Sequence, residues 1–191
     1  MGDPDRELVQ RARDGDEVAF AELVDRHSAV VHRVAARVVG ADDADDVAQD
    51  AFLRAFHRLE RFRGESPFRA WLLRIVQNTA LTALSRRPSF VAPADGKGDG
   101  VAEEGGRNPE RPPAEQLEAS ERRARLEEKI RLLRPAHRAV LVLRDVEGLA
   151  YEEIAVVTEA PVGSVKGRLH RARGELVDLL RSNTYDWELP R

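Results

Sequence analysis

Residues 88–116 interrupt the helical pattern of this 191-residue chain and divide it into two blocks. The stretch holds five of the thirteen glycines and five of the ten prolines, and it has no sustained apolar period. Such a segment has no apolar face to bury and is typical of a linker. As a flexible coil it would span roughly 30 Å. We therefore predict two small domains, 5–87 and 117–182, joined by a flexible linker and followed by a tail, 183–191.

Both domains are predicted to be all-α. Charged residues make up 34% of the chain and aromatic residues 5%, which suits helices with charged outer faces better than sheets. The net charge of −3 argues against a general polyanion binder, so any contact with nucleic acid must come from locally clustered cations. The chain has no cysteine, no apolar signal core at its N-terminus and no long apolar run. We expect a cytoplasmic protein without disulfides or membrane insertion.

The first block predicts three helices. An apolar stripe with 3.6-residue spacing runs from Phe20 to Val38 and stops at Gly40. A second helix follows the acidic run 42–46, whose carboxylates favour a helix N-terminus, and a third begins after 64–67. The second helix is expected to bury Val47, Phe52, Phe56 and Leu59. The third is expected to bury Phe68, Trp71, Leu72, Ile75 and Val76.

The second block has the spacing of a helix-turn-helix. A charged helix around 117–133 and an apolar run ending near Gly148 precede two helical segments, which are separated at residues 160–161. The motif needs a small residue where its helices cross, a bend, and a buried branched residue early in the second helix. These needs are met by Ala155, Pro161 and Val165.

The last helix of this motif concentrates positive charge on its outer face, and no acidic residue occurs between 164 and 173. Such a helix can enter the major groove, where Arg or Lys reads guanine acceptors and other cations neutralise phosphates. We expect Lys166 and Arg168 near bases, and Arg171 and Arg173 mostly on phosphates. The full candidate set for duplex binding is Ser164, Lys166, Gly167, Arg168, His170, Arg171 and Arg173.

Motifs in both blocks resemble bacterial RNA polymerase sigma factors of the extracytoplasmic-function group. The first block is similar to region two of that family through DDADDVAQDAFLRAFHRLERFRG and SPFRAWLLRIVQN. The second is similar to region four through LRPAHRAVLVLRDVEGLAYEEIA and PVGSVKGRLHRAR, which bind the minus-thirty-five element as duplex in the family. The resemblance implies an alternative sigma factor that binds core polymerase and promoter DNA, is regulated by an anti-sigma factor, and needs no cofactor or metal.

The resemblance also implies a polymerase contact on the helix after the acidic run. Asp46, Gln49 and Asp50 match the family's D-x-x-Q-[ED] motif, and Leu53 lies just beyond it. Their i, i+3, i+4 and i+7 spacing places all four on one helical face. In the family, region two binds the beta-prime clamp helices, and the beta flap is a second polymerase contact. Compensation of the helix dipole is another role for these carboxylates.

By the same resemblance, the first block holds the melted minus-ten strand. In the family, a loop accepts a flipped-out base and the following helix tracks the strand. Single strands are held by flat side chains and by cations along the backbone, although Phe68 and Trp71 also fit the core. The loop candidates are Phe62, Arg63, Gly64, Glu65 and Ser66. The other candidates are Arg61, Arg74, Asn78, Arg86 and Arg87.

Two positions in the second block depart from the family pattern. Glu159 stands where glycine is preferred, in a turn that often needs positive φ, and a left-handed non-glycine residue costs about 1–2 kcal/mol. Gly167 replaces the usual serine. It costs about 1 kcal/mol of helix propensity but lets the backbone approach DNA closely.

Other interpretations explain less of the sequence. The chain has no clustered nucleophile and base and no glycine-rich phosphate loop, so an enzyme lacks support. The acidic run 42–46 lacks a second cluster that would complete a metal site. Charge alone would also allow a solvated basic face on the last helix, paired with Glu152 and Glu153. A conventional helix-turn-helix regulator, with a sensing or dimerisation block in place of region two, is the alternative function.

Overall fold

The structure is a computed structural model that describes residues 3–86 and 113–182, with side chains of the second range described from residue 117. Every regular element in these ranges is helical, and none of the helices there is long and apolar enough to cross a membrane. The helices are α1 (Arg6–Arg13), α2 (Glu17–Val39), α3 (Ala44–Arg58), α4 (Phe68–Arg86), α5 (Pro113–Leu132), α6 (Pro135–Leu141), α7 (Tyr151–Thr158) and α8 (Val162–Arg181).

Helices α2, α3 and α4 pack on one another to form the core of the first unit. Helix α2 begins at Asp16, whose carboxylate accepts a hydrogen bond from the Ala19 amide at 3.1 Å. It ends at Gly40, whose φ of 99° suits glycine and stops the helix, as predicted. The largest fully buried side chains of this unit are Leu23, Val31, Val34, Val38, Phe68, Leu72 and Leu73.

Helix α3 differs from the prediction at Phe56. Val47 is buried, Phe52 packs against the core, and Leu59 is buried in the 3-10 turn Leu59–Arg61 that follows α3. Phe56, however, is 44% exposed, and its ring meets Phe20 edge-on, with centroids 4.9 Å apart. Small side chains form the inner face instead, because they let neighbouring helices approach closely. The buried alanines of α3 are Ala44, Ala48, Ala51 and Ala55.

Helix α1 was not predicted as a separate element, and the residues before it tie it to the first unit. The Asp5 carboxylate is 2% exposed and lies 2.8 Å from Nε2 of His27 and 2.7 Å from Nη1 of Arg26. The Asp3 carboxylate accepts a hydrogen bond from the Phe68 amide at 2.7 Å. It thereby satisfies an N–H that the first turn of α4 leaves without a helical partner.

Helices α6, α7 and α8 form the second unit, with the end of α5 packed beside α8. Pro135 opens α6, at a position where its missing N–H costs no helical hydrogen bond. After α6, the predicted apolar run continues through a π-helical turn, Val142–Val146, to Gly148 at φ 70°. Nδ1 of His137 on α6 lies 2.6 Å from Oε2 of Glu175 on α8, and this hydrogen bond lowers the pKa of Glu175.

The predicted linker ends earlier than residue 116, because α5 begins at Pro113. Proline is tolerated in the first turn of a helix, so the composition that predicted a linker also suits a helix start. The rest of the predicted linker, within 87–112, and the predicted tail, 183–191, lie outside the described residues.

The two units contact each other: α7 lies against α4, and α5 and α6 contact α2. Glu147, just before α7, has a side chain that is only 2% exposed and reaches the first unit. Arg33 donates two hydrogen bonds to its carboxylate at 3.0 and 2.9 Å. Nitrogens of Arg37 and Arg69 lie 3.9 and 3.7 Å from the same carboxylate. A buried carboxylate needs such pairing, because it has lost its hydration.

Arg138 on α6 forms a second polar contact across this junction. One of its nitrogens donates to the Val38 carbonyl near the end of α2 at 2.6 Å, and another donates to the Leu133 carbonyl at 3.1 Å. Burial lowers the pKa of the Arg138 guanidinium. The contact satisfies a C-terminal carbonyl of α2 that has no partner within the helix.

We expect Asp5→Ala to destabilise the first unit by about 2–3 kcal/mol, because it leaves the buried His27 without its partner. Urea denaturation followed by circular dichroism would measure the change. Asp25→Ala removes an exposed carboxylate from α2 and should change stability by about 0.5 kcal/mol or less. A loss for Asp5→Ala no larger than this control would contradict the structural role of Asp5.

Candidate nucleic-acid and polymerase surfaces

Helix α8 presents a basic face to solvent because its apolar residues pack inward. Val165 is buried, as the helix-turn-helix spacing predicted, and Leu169 and Leu180 are buried beside it on the inner face of this helix. On the outer face, Gly167 and Arg168 are half-buried. The exposed members of the predicted duplex-binding set are Ser164, Lys166, His170, Arg171 and Arg173. Several cations on one helical face can contact both base edges and phosphates.

The turn before α8 has the geometry that the sequence predicted. Glu159 adopts the left-handed conformation, with φ 50° and ψ 39°, and is the one non-glycine residue with positive φ in the described part of the chain. The Ala160 amide donates to the Ala155 carbonyl at 3.1 Å, and Pro161 then precedes the first turn of α8. The strained residue therefore sets the angle between α7 and α8.

Two of the predicted cations have neighbours that the sequence did not indicate. Arg173 donates to the two carboxylate oxygens of Asp145 at 3.0 and 2.5 Å, and this hydrogen bonding raises the pKa of Arg173. The ammonium of Lys166 lies 5.3 Å from the centroid of the Tyr151 ring, and Arg144 lies over the same ring at 4.6 Å. These contacts restrict the positions of the Arg173 and Lys166 side chains on the basic face.

Acidic side chains line a groove between α3 and α4 in the first unit. The groove has a volume of about 490 Å³, and its walls include Asp46, Asp50, Thr82 and Arg86. Asp50 pairs with Arg54, one turn later on α3, at 2.9 Å. Two of the predicted polymerase-binding residues, Asp46 and Asp50, thus line the groove, and helical spacing places Gln49 and Leu53 on the same face of α3. Asp46 and Gln49 on this face are exposed, and Leu53 is 54% exposed.

The predicted strand-binding loop is mostly exposed, with one exception. Arg61, Arg63, Gly64 and Glu65 are exposed and Ser66 is half-buried, while Gly64 has φ 70°. Nitrogen and oxygen atoms of Arg63 and Glu65 lie 3.8 Å apart.

The prediction that Phe62 contacts the strand is corrected by the structure, which places its side chain in the core with 6% exposure. Its ring centroid lies 5.9 Å from that of Phe68 and 5.1 Å from that of Trp71. Phe68 is buried as well, whereas Trp71 is half-buried at the edge of this aromatic cluster. The rings of Phe62, Phe68 and Trp71 pack on one another, and Phe62 thereby anchors the loop to the core.

The remaining strand-binding candidates fall at different places along α4. Arg74 is half-buried and pairs with Glu159 of the second unit. Asn78 is exposed one turn later, and Arg86 lines the acidic groove near the end of the helix. Arg87 lies outside the described residues. The sequence did not indicate three further arginines that surround Glu147, because their common partner lies in the other unit. These are Arg33, Arg37 and Arg69.

Among the side chains described for residues 3–86 and 117–182, no three His, Asp or Glu groups are arranged to hold a metal ion. The buried His27 and His137 each contact one carboxylate and form polar contacts between helices.

Two family models match the chain. Residues 23–89 match the model described as sigma-70 region 2, and residues 123–176 match the model described as sigma-70, region 4. The chain is 40% identical over 178 residues to the ECF RNA polymerase sigma-E factor of Escherichia coli K12, a match that covers 91% of this chain and 92% of that relative.

Two solved structures have the same fold over most of the chain. CnrH, in complex with the cytosolic domain of CnrY, is 31% identical, with a TM-score of 0.69 and coverage of 94% of this chain and 99% of CnrH. The sigma factor RpoE of Bartonella quintana, in complex with the anti-sigma factor NepR, has a TM-score of 0.63 at 19% identity. That match covers 86% of this chain and 98% of RpoE.

We expect Gly167→Ala to stabilise the second unit by about 1 kcal/mol, because alanine favours a helix interior. An added Cβ there would meet only the Arg171 guanidinium, at 3.9 Å, which is ordinary contact. Gly174→Ala is a matched control on the same helix, with no atom within 4 Å of the added Cβ. Thermal unfolding of both variants would measure the gain. Destabilisation by Gly167→Ala alone would mean that glycine is required by the fold at 167.

Proposed function

Since this chain belongs to the extracytoplasmic-function group of the sigma-70 family, the alternative sigma factors of transcription initiation, we propose how its two units divide the work. Residues 5–87 bind core RNA polymerase and the minus-ten element, and residues 117–182 bind the minus-thirty-five element as duplex. The observation that carries this division is the separation of charge: the acidic groove lies on the first unit and the basic face of α8 on the second.

Helix α8 enters the major groove with its N-terminal half. Lys166 and Arg168 face base edges, and Arg171 contacts phosphate, because all three lie on the broad outer side of the helix, opposite its buried apolar residues. Gly167 lets the backbone come close to the DNA. Arg173 is already held by Asp145 and so contributes less to phosphate binding than Arg171. The duplex candidates Ser164 and His170 flank these cations on the same exposed surface.

The melted minus-ten strand passes from the loop at 63–66 onto α4. An exposed loop can accept a base that has left the stack, and cations along α4 can then hold the backbone. The half-buried ring of Trp71 lies beside this path and can contact a base, and Arg74 and Asn78 lie further along α4. The unit thus traps open bases and shifts the promoter toward its open state.

The acidic face of α3 binds core polymerase. Asp46, Gln49, Asp50 and Leu53 combine exposed carboxylates with an exposed leucine, and a basic partner such as the beta-prime clamp helices would be attracted by the carboxylates. Arg86 borders the same groove and is closer to this surface than to the loop. The beta flap is the second polymerase contact, made by the region-four unit.

Regulation and location follow from the same assignment. An anti-sigma factor is the expected regulatory partner, as for the neighbour of the same fold that was solved with one. The chain works in the cytoplasm, where the polymerase and the promoter are. It performs no catalytic step and carries no cofactor, because the polymerase supplies the chemistry. A conventional helix-turn-helix regulator is not favoured, because the first unit matches region 2.

Run-off transcription with purified bacterial core polymerase over a promoter library tests the function. Specific new transcripts are expected with the wild-type chain. Asp46→Arg combined with Gln49→Ala should reduce both transcription and association with core polymerase, because it reverses charge on the clamp-binding face. Duplex binding by the same variant should be unchanged. Duplex binding without any transcript, using a compatible core, would instead support the conventional regulator.

Substitutions on α8 test the duplex contact. Arg168→Ala should cost about 1–3 kcal/mol of promoter affinity and relax sequence preference, and Arg171→Ala should weaken all duplexes and reduce the salt slope by about 1. Arg181→Ala, at the end of the same helix, is the charge-matched control. Fluorescence anisotropy over a salt series would measure these effects. Wild-type affinity and salt dependence in either variant would remove that residue from the interface.

A further inference from the structure

One ion pair joins the turn of the helix-turn-helix to the helix that is proposed to hold the strand. Arg74 on α4 donates to the carboxylate of Glu159, which lies between α7 and α8. Among the described residues, Glu159 is the acid that pairs with Arg74. The second unit therefore places a negative charge on one of the candidate strand-binding cations of the first unit.

Arg74 shares the exposed face of α4 with other residues on the proposed strand path. Successive helical residues are about 100° apart, so Asn78 lies about 40° and Trp71 about 60° from Arg74 around the helix axis. Asn78 is exposed and Trp71 is half-buried. A strand that follows this face passes within reach of the Arg74 guanidinium.

The second unit covers the neighbouring side of α4. Leu73 and Gln77 are buried, and around the helix axis they lie between Arg69 and Arg74. Those two arginines contact the acids that precede and follow α7, and α7 packs against α4. Arg74 therefore lies at the border between the exposed strand face and the docked second unit.

The backbone conformation of Glu159 indicates a role for its side chain. Its φ of 50° lies in the left-handed region, where glycine is unstrained and a glutamate is strained. Glycine would suit this turn but would leave Arg74 without its acid. Strained residues persist where the surrounding structure compensates for the strain, and they often occur at functional positions.

The Arg74–Glu159 pair can be exchanged for a pair between Arg74 and a phosphate. The two side chains are 42% and 52% exposed, and exposed ion pairs contribute little to stability. A carboxylate and a phosphodiester both present anionic oxygens to which a guanidinium donates hydrogen bonds. Exchange of one anion for the other therefore retains the type of contact that Arg74 makes.

We propose that Glu159 is an internal competitor of the promoter strand. While the second unit is docked on α4, the Glu159 carboxylate occupies the Arg74 guanidinium, and a strand phosphate must displace it. This inference rests on the proposed function, because it assumes that the strand follows the exposed face of α4. It adds that the unit proposed to bind the duplex also regulates the strand site of the other unit.

The competition couples docking to strand binding. The apparent affinity for a strand falls with the fraction of molecules in which Arg74 is free of Glu159. By reciprocity, a bound strand weakens the contact between Glu159 and α4 by the same factor. Removal of the Glu159 charge should therefore raise the affinity for single strands, and it should do so through Arg74.

The experiment measures binding of the full chain to a labelled single-stranded oligothymidylate by fluorescence anisotropy over a salt series. Glu159→Gln removes the competing charge and should bind about two- to fivefold tighter than wild type, the range of an exposed ion pair. The gain should shrink at high salt, because salt screens exposed charges. Glu152→Gln on α7 removes an exposed acid with the same change in net charge and is the matched control.

Second substitutions assign the gain to Arg74. In the Glu159→Gln background, Arg74→Gln should return the affinity to the wild-type value or below, whereas Arg58→Gln, at an exposed arginine of α3, should leave most of the gain. Exchange of the pair, Arg74→Glu with Glu159→Arg, keeps opposite charges between the units but places an acid beside the strand, and should bind more weakly than wild type.

Three results would overturn the proposal. The first is equal affinity of Glu159→Gln and Glu152→Gln for the oligothymidylate. The second is a gain in Glu159→Gln that survives Arg74→Gln. The third is the absence of measurable strand binding by Glu159→Gln.

Run-off transcription with the same preparations separates this inference from the proposed function. Normal promoter-specific transcription by the wild-type chain, together with strand affinities that do not respond to Glu159→Gln, would contradict the competition alone. A wild-type chain that yields no transcripts with a compatible core would contradict the proposed function instead. Circular dichroism of each variant checks for lost helices. If Glu159→Gln has lost helices, Glu159→Gly removes the same charge with a residue that suits the left-handed turn, and the same gain is expected.

Discussion

The buried carboxylate of Glu147 is the contact on which the arrangement of the two units depends. It brings a negative charge of the second unit into a cluster of arginines on the first, where Arg33 binds both of its oxygens. The buried apolar side chains of the two units belong to one continuous cluster, so the junction combines these polar contacts with apolar packing of α7 on α4.

The surfaces available for partners follow from how each unit buries its apolar residues. Inward packing of Val165 and Leu169 leaves the cations of α8 outside, and the alanines of α3 leave Asp46 and Leu53 outside. A chain with a net charge of −3 can therefore bind a polyanion, because the exposed cations of α8 lie together on one side of that helix. Docking neutralises part of the positive charge along α4, which links the arrangement of the units to the strand-binding surface.

Sequence reasoning succeeded where the signal is local. The apolar stripe and glycine stop of α2, the start of α4 at Phe68, and the left-handed conformation of Glu159 all depend on residues within a few turns. Sequence reasoning failed where the packing of a side chain depends on neighbours that are distant in sequence. Phe62 was expected to face a DNA strand, but it packs on an aromatic cluster, and Phe56 was expected inside, where alanines lie instead.

The sequence by itself determined most of the helices, the presence of two blocks and the family, because periodicity, turn residues and ordered motifs are properties of short segments. Only the tertiary structure decided which charged side chains form ion pairs. The partners Arg33 and Glu147 are 114 residues apart, and no spacing rule connects them. An ion pair of this kind depends on how two packed units orient their surfaces, so it follows from the complete fold rather than from any segment of the chain.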